Sequence, residues 1–178
     1  MRAFIALPLA EPAVDALVRV QSLLPTGRPV PEDNLHLTLA YLGDVPADVL
    51  EPLHDLLQAA RLPAPQIAFQ GLGTFAEMEQ GLTFAAVTPS DTLSALHAKV
   101  AVAARQSGAD LPRRRFRPHV TLTRANRQPK GPARDRLAEA MGTPLNIPGF
   151  TAHEMCLYQS HLSEHGARHE VLASYPLA

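Results

Sequence analysis

One unit is written twice in this chain of 178 residues. An apolar strand leads into an amphipathic helix, then a proline-bearing connector, then a strand that opens with His-x-Thr-Leu. The first copy runs from Phe4 to His36-Leu37-Thr38-Leu39, and the second from Leu82 to His119-Val120-Thr121-Leu122. Sequence identity between the copies is slight, so what repeats is the order of elements. That repetition predicts two similar lobes facing each other.

The elements follow from periodicity. Arg2–Leu9 reads as a buried strand. Val14, Leu17, Val18, Gln21 and Leu24 form a stripe at helical spacing over Glu11–Leu24, with Pro12 in the first turn and Pro25 ending it. Leu35–Leu42 is a strand. Asp48 and Glu51 have the spacing of a capping box for a second helix reaching Ala60, with Pro52 in its early part. Gln66–Gln70 and Leu82–Val87 read as strands around a glycine-rich turn, Gly71 to Gly81. Ser90 or Asp91 caps a third helix that Gly108 stops. His119–Thr123 is a strand and Ala133–Met141 a short helix. Leu145–Phe150, His153–Tyr158 and Arg168–Ser174 complete the strands, with a polar turn at Ser163–Gly166. Strands interleaved with helices, and hairpin-sized gaps in the last third, give an α+β fold of mainly antiparallel sheet. The expected organisation is a single bilobal domain, 1–178.

Charge excludes one class of function. Sixteen Lys and Arg stand against 17 Asp and Glu, so there is no general cationic field to coat nucleic acid. Any contact with RNA must come from a local patch. The lone cysteine, Cys156, excludes an internal disulfide and a multi-cysteine zinc site, and alternation makes it a small buried residue. The apolar run at Ala3–Ala10 is broken by Pro8 and suits a strand better than a signal peptide or membrane span. A cytoplasmic monomer is expected.

The two tetrads carry the chemistry. Alternation puts His36 with Thr38, and His119 with Thr121, on one face of each strand. Leu37, Leu39 and Tyr41, like Val120 and Leu122, take the other face and pack inward. Two imidazoles supply an acid and a base near neutral pH, and two hydroxyls can donate to phosphoryl oxygens. With water as nucleophile, that set suits phosphodiester cleavage with no metal and no cofactor. Either imidazole could be the acid on these grounds. A single histidine in a strand is usually just a satisfied polar residue; the matched pair is what raises the reading.

With their flanks, these residues resemble a known family. Arg2-Ala3-Phe4-Ile5-Ala6-Leu7, Asn34–Val45 around the first tetrad, Phe116–Arg124 around the second, and Leu157-Tyr158-Gln159-Ser160 with Gly166-Ala167 and Val171-Leu172 carry it. Together they resemble the two-histidine phosphoesterase superfamily. Within it they look most like the bacterial and archaeal RNA 2′,3′-cyclic phosphodiesterases, also called 2′–5′ RNA ligases. Two positions depart from the pattern. Pro29-Val30 stand near where a Trp is common, and His169 stands where an aromatic is common.

The resemblance implies two pseudo-symmetric lobes of antiparallel sheet with outer helices and a cleft between them. It implies hydrolysis of RNA 2′,3′-cyclic phosphate ends to 2′-phosphate ends, with reversible 2′–5′ ligation as a companion reaction. His36 would then be proton donor and His119 proton acceptor, with Thr38 and Thr121 holding the phosphate.

Secondary candidates come from the flanks. Arg113, Arg114, Arg115 and Arg117 surround Phe116, so Arg115 can clamp phosphate while Phe116 stacks a base; the alternative is a solvated loop around one buried ring. Arg124 falls on the opposite face to His119 by alternation, so it reaches a phosphate only through a twist or bulge. His161, His165 and His169 recur every fourth residue, but Gly166 and the flanking strands argue against the helix a metal site would need. Gly71-Leu72-Gly73 lacks a dinucleotide fingerprint and reads as a turn. The expected partners are RNA 3′ ends or cyclic nucleotides. A small cyclic nucleotide as substrate, or RNA-end binding without turnover, are the rival readings.

Overall fold

The computed structural model describes residues 1–75 and 78–178. In chain order the elements are β1 (Arg2–Pro8), α1 (Glu11–Leu23), β2 (Arg28–Pro29), a 3-10 turn (Glu32–Asn34), β3 (His36–Asp44) and α2 (Ala47–Ala59). Then come β4 (Gln66–Ile67), β5 (Phe69–Thr74), β6 (Gly81–Val87), α3 (Asp91–Gln106), β7 (His119–Ala125) and α4 (Pro132–Met141). The last third holds β8 (Phe150–Thr151), β9 (Glu154–Ser163) and β10 (Gly166–Pro176).

The fold is α+β, and its strand pairings are antiparallel. The main sheet has the order β10-β9-β1-β3-β7-β6-β5, with β2 added beside β7. The two copies of the repeated unit pair alike, β1 with β3 and β6 with β7. The half-sheets meet at the two histidine strands, through Leu37 opposite Val120. Both residues are fully buried, so the seam is apolar on one side and carries the tetrads on the other. Helices supply the core beneath it: Leu17 of α1, Leu53 and Leu57 of α2, and Leu93, Leu96 and Val100 of α3.

Several local expectations change for identifiable reasons. Gly71–Gly73 belongs to β5 rather than a turn. A bulge lies between Phe69 and Gly71, and a Cβ at Gly73 would meet the Phe84 ring at 2.5 Å. Glycine is there to let a ring cross the strand. Residues 76 and 77 of the expected turn lie outside the described residues. The capping box does not form: Pro46 is the N-cap of α2 without a side-chain bond, and Asp48 lies in the first turn. Ser90 does cap α3, accepting from Leu93 N–H at 3.2 Å. Of Leu145–Phe150 only Phe150 joins a strand, because Pro144 and Pro148 withhold ladder donors. Tyr41 does not pack inward but is 48% exposed. Leu39 is an extra residue in β3 where Ile5 faces Ala40 and Ala6 faces Thr38. The bulge shifts the phase, so Leu42 is buried and Tyr41 is turned out.

Candidate active site

The two histidines are held by the same device. His36 Nδ1 lies 2.7 Å from the Asn34 carbonyl, and His119 Nδ1 lies 2.7 Å from the Arg117 carbonyl. A carbonyl only accepts, so Nδ1 carries the hydrogen in both rings. That fixes each tautomer and leaves Nε2 as the atom that takes or gives a proton. The two chain segments reach this geometry differently, from a 3-10 turn before β3 and from an irregular segment before β7. Asn34 ends the 3-10 turn and is itself tied to the β9–β10 hairpin, its Nδ2 donating to Ala167 O at 2.6 Å. Pro118 precedes His119 and favours the extended entry to β7.

Thr38 and Thr121 are half-buried two residues further on, one on each strand. The antiparallel crossing at Leu37 and Val120 directs each tetrad's threonine toward the other tetrad's histidine. Aromatic rings wall each imidazole. Phe4 lies 4.8 Å from the His36 ring, while Phe84 and Phe75 lie 5.1 and 5.0 Å from that of His119. Arg117 stands over the Phe75 ring at 4.6 Å.

Arg124 gains its place from a second bulge. Phe84 pairs with Thr121 and Thr83 with Thr123, which leaves Leu122 as the extra residue of β7. Leu39 and Leu122 are each the third residue after the tetrad histidine, so the bulge is part of the repeated unit. It shifts the phase of β7, burying Thr123 and bringing Arg124 round. The Arg124 charge acts on His36, His119 and His169 alike.

Electrostatics leave both imidazoles easily deprotonated. Burial pushes His36 down to about 4; the Asn34 carbonyl opposes this, and His169, Arg124 and His119 add to it. Burial also lowers His119, opposed by the Arg117 carbonyl and reinforced by Arg117 and Arg124. Both are therefore neutral at pH 7 in the free protein.

A cavity of about 370 Å³ opens beside His36, lined among others by Leu35, Tyr158, His169, Glu11, Glu32 and Asp33. His169 and Tyr158 were not singled out as site residues from the sequence. The His169 ring stands edge-on to His36 at 5.4 Å and to Phe4 at 4.8 Å. Tyr158 stacks on Phe4 at 5.0 Å. Tyr158 belongs to the tail motif and His169 departs from the family pattern, but their location depends on β9 pairing with β1 and β10 with β9. Of the secondary candidates, Phe116 stacks on His97 at 4.0 Å, which covers one ring face. Arg115 is exposed on the loop before β7. His161 and His169 lie on the two strands of the last hairpin, and His161 pairs with Glu170 at 2.8 Å.

A family model described as the 2′-5′ RNA ligase superfamily matches residues 8–164. The chain belongs to that superfamily. Among relatives within it, an RNA 2′,3′-cyclic phosphodiesterase of Geobacillus stearothermophilus is 35% identical over 98% of this chain. The chain spans about half the length of that relative, 56%. A protein of the same name from Methanothermobacter thermautotrophicus is 30% identical over 93% of both chains. The apo crystal structure of Escherichia coli LigT has a TM-score of 0.81 at 26% identity, covering 99% of this chain and 96% of LigT. LigT solved with 3′-AMP matches with a TM-score of 0.79 at 25% identity over the same shares of both chains. The superfamily membership and the α+β architecture agree with the resemblance read from the tetrads and their flanks.

Proposed function

We propose that this chain hydrolyses RNA 2′,3′-cyclic phosphate ends to 2′-phosphate ends, as one bilobal unit with its reaction centre between the two tetrads. The observation that carries the reading is the matched pair of imidazoles, each with Nδ1 tied to a backbone carbonyl and Nε2 left for proton transfer. The relatives are named RNA 2′,3′-cyclic phosphodiesterases, which supports hydrolysis of the cyclic phosphate.

In this mechanism His119 Nε2 takes a proton from water as the water oxygen attacks phosphorus. The bond to the 3′ oxygen breaks, and His36 Nε2 delivers a proton to that oxygen. The products are a 2′-phosphate and a free 3′ hydroxyl. Thr38, Thr121 and Arg124 hold the non-bridging oxygens as charge develops. Arg115 and Phe116 lie further out on the loop before β7 and serve the RNA chain rather than the reacting phosphate. The cavity beside His36 is of small-ligand size, and its carboxylates would repel a phosphate, so it takes the terminal nucleoside. A free cyclic nucleotide fits the same space and is the second reading. LigT has been solved with 3′-AMP, a free mononucleotide with an open phosphate.

The two imidazoles provide both proton transfers, so no metal or cofactor is assigned a step. Turnover of a 2′,3′-cyclic nucleotide is expected to be unchanged in excess EDTA. Loss in chelator, restored by a divalent ion, would overturn the mechanism. Among the described residues no helix is long and apolar enough to cross a membrane. We propose a monomer working in the cytoplasm, where RNA ends are available.

The pH dependence follows from the depressed imidazoles. In the assigned roles the competent free form has His36 charged and His119 neutral. Because His36 is the more depressed ring, this is the less populated of the two singly protonated forms, so kcat/KM against pH is bell-shaped with a low maximum. Both limbs should fall on the acid side of 6.5, with the lower near 4. Bound phosphate favours the charged ring, so the kcat profile should lie at higher pH than that of kcat/KM. The two apparent constants belong to the pair. A kcat/KM optimum above pH 7 would contradict this account.

A further inference from the structure

The corner where β2 meets β7 is built around a buried side chain that the proton-transfer chemistry does not use. Gln21 lies on α1 and is 8% exposed. Its Nε2 donates to Val30 O at 2.9 Å and to Leu122 O at 2.8 Å, which uses both amide hydrogens. Leu122 is the extra residue of the β7 bulge. Its carbonyl also accepts from Val30 N–H at 2.8 Å. Immediately beyond, Pro29 pairs with Thr123 and Arg28 with Arg124. One amide thus ties α1, the residue that follows β2 and the bulge together, one residue from Thr123 and two from Arg124.

We propose that Gln21 is a positioning residue for Arg124. The proposal rests on the reading of the cleft as a cyclic-phosphate site. Strict alternation along β7 would turn Arg124 away from His119 and Thr121; the bulge at Leu122 brings it round. A bulge is a local irregularity that a strand can relax or shift. Here both lone pairs of the bulged carbonyl are occupied, one by Val30 N–H and one by Gln21. The guanidinium binds phosphate through a planar fork, so its orientation matters as much as its charge. Removing the Gln21 amide leaves Leu122 O its bond from Val30 N–H. The corner should therefore loosen without the fold being lost.

The test is a double-mutant cycle on the full chain with Gln21→Met and Arg124→Ala, read by kcat and KM on a 2′,3′-cyclic nucleotide and by affinity for inorganic phosphate. Gln21→Met is expected to lower kcat/KM by about tenfold in the parent, the scale of a displaced binding group, and to have almost no effect once Arg124 is Ala. Phosphate affinity should follow the same pattern, and it reports on Arg124 even if the parent turned no cyclic nucleotide over, the outcome that would defeat the catalytic reading instead. An equal loss in both backgrounds would overturn the proposal, because a merely structural glutamine acts irrespective of Arg124. Parental turnover and phosphate affinity in a folded Gln21→Met would overturn it too. Gln21→Asn, which keeps the amide one methylene short, carries the same cycle should the Met variant not fold.

Discussion

Replacing His36 or His119 by Ala is expected to cut turnover of a 2′,3′-cyclic phosphate at least about a hundredfold, the low end for a positioned acid or base. That is about 2.7 kcal/mol of barrier. The fold should survive, because both rings lie on the face of the sheet opposite the buried Leu37, Val120 and Leu122. His36 packs against Phe4 and His169, so a modest fall in melting temperature is expected beside the loss of rate. The informative variant is the double one. Proton delivery to the leaving oxygen and proton removal from water serve one displacement, so the double variant should be little slower than either single. Multiplication of the two losses, measured as kcat in single-turnover conditions, would show that the rings act independently.

The threonines come next in size. Thr38→Val and Thr121→Val keep the β-branched shape that each strand packs and remove only the hydroxyl. If the hydroxyls meet charge that grows on the phosphoryl oxygens, kcat falls by roughly one to three orders of magnitude while KM changes little. A rise in KM with kcat unchanged would mean that they bind the ground state alone. The pseudo-symmetry adds a comparison. Both threonines sit one residue before a bulged leucine, so their losses should be of similar size.

Much of this was legible in the residues. The repeated order of elements located both histidine strands, because apolar period and proline punctuation are local signals. Ser90 and Gly108 marked the ends of α3 for the same reason. What escaped depended on pairing between distant segments. Strict alternation put Tyr41 on the inner face and Arg124 away from His119, and both assignments fail, since the bulges at Leu39 and Leu122 exist only against β1 and β6. Gly73 looked like turn chemistry until Phe84 crossed it from the neighbouring strand. His169 could not be placed beside His36, because that contact needs the last hairpin to lie along β1 and the Asn34 side chain to hold it there. The carbonyls that fix the imidazole tautomers belong to residues whose side chains carry no hint of the role. For His36 and His119 alike the partner is the carbonyl two positions earlier, set by the backbone course and not by side-chain identity.

The most direct measurement follows phosphorus. An RNA oligonucleotide ending in a 2′,3′-cyclic phosphate is incubated with the full chain, and the products are resolved by 31P NMR. The account predicts that the cyclic resonance is replaced by that of a terminal 2′-phosphomonoester, at a rate abolished in the His36→Ala and His119→Ala variants. A cyclic resonance left unchanged by the folded parent chain, or replaced by a 3′-phosphate, would contradict it.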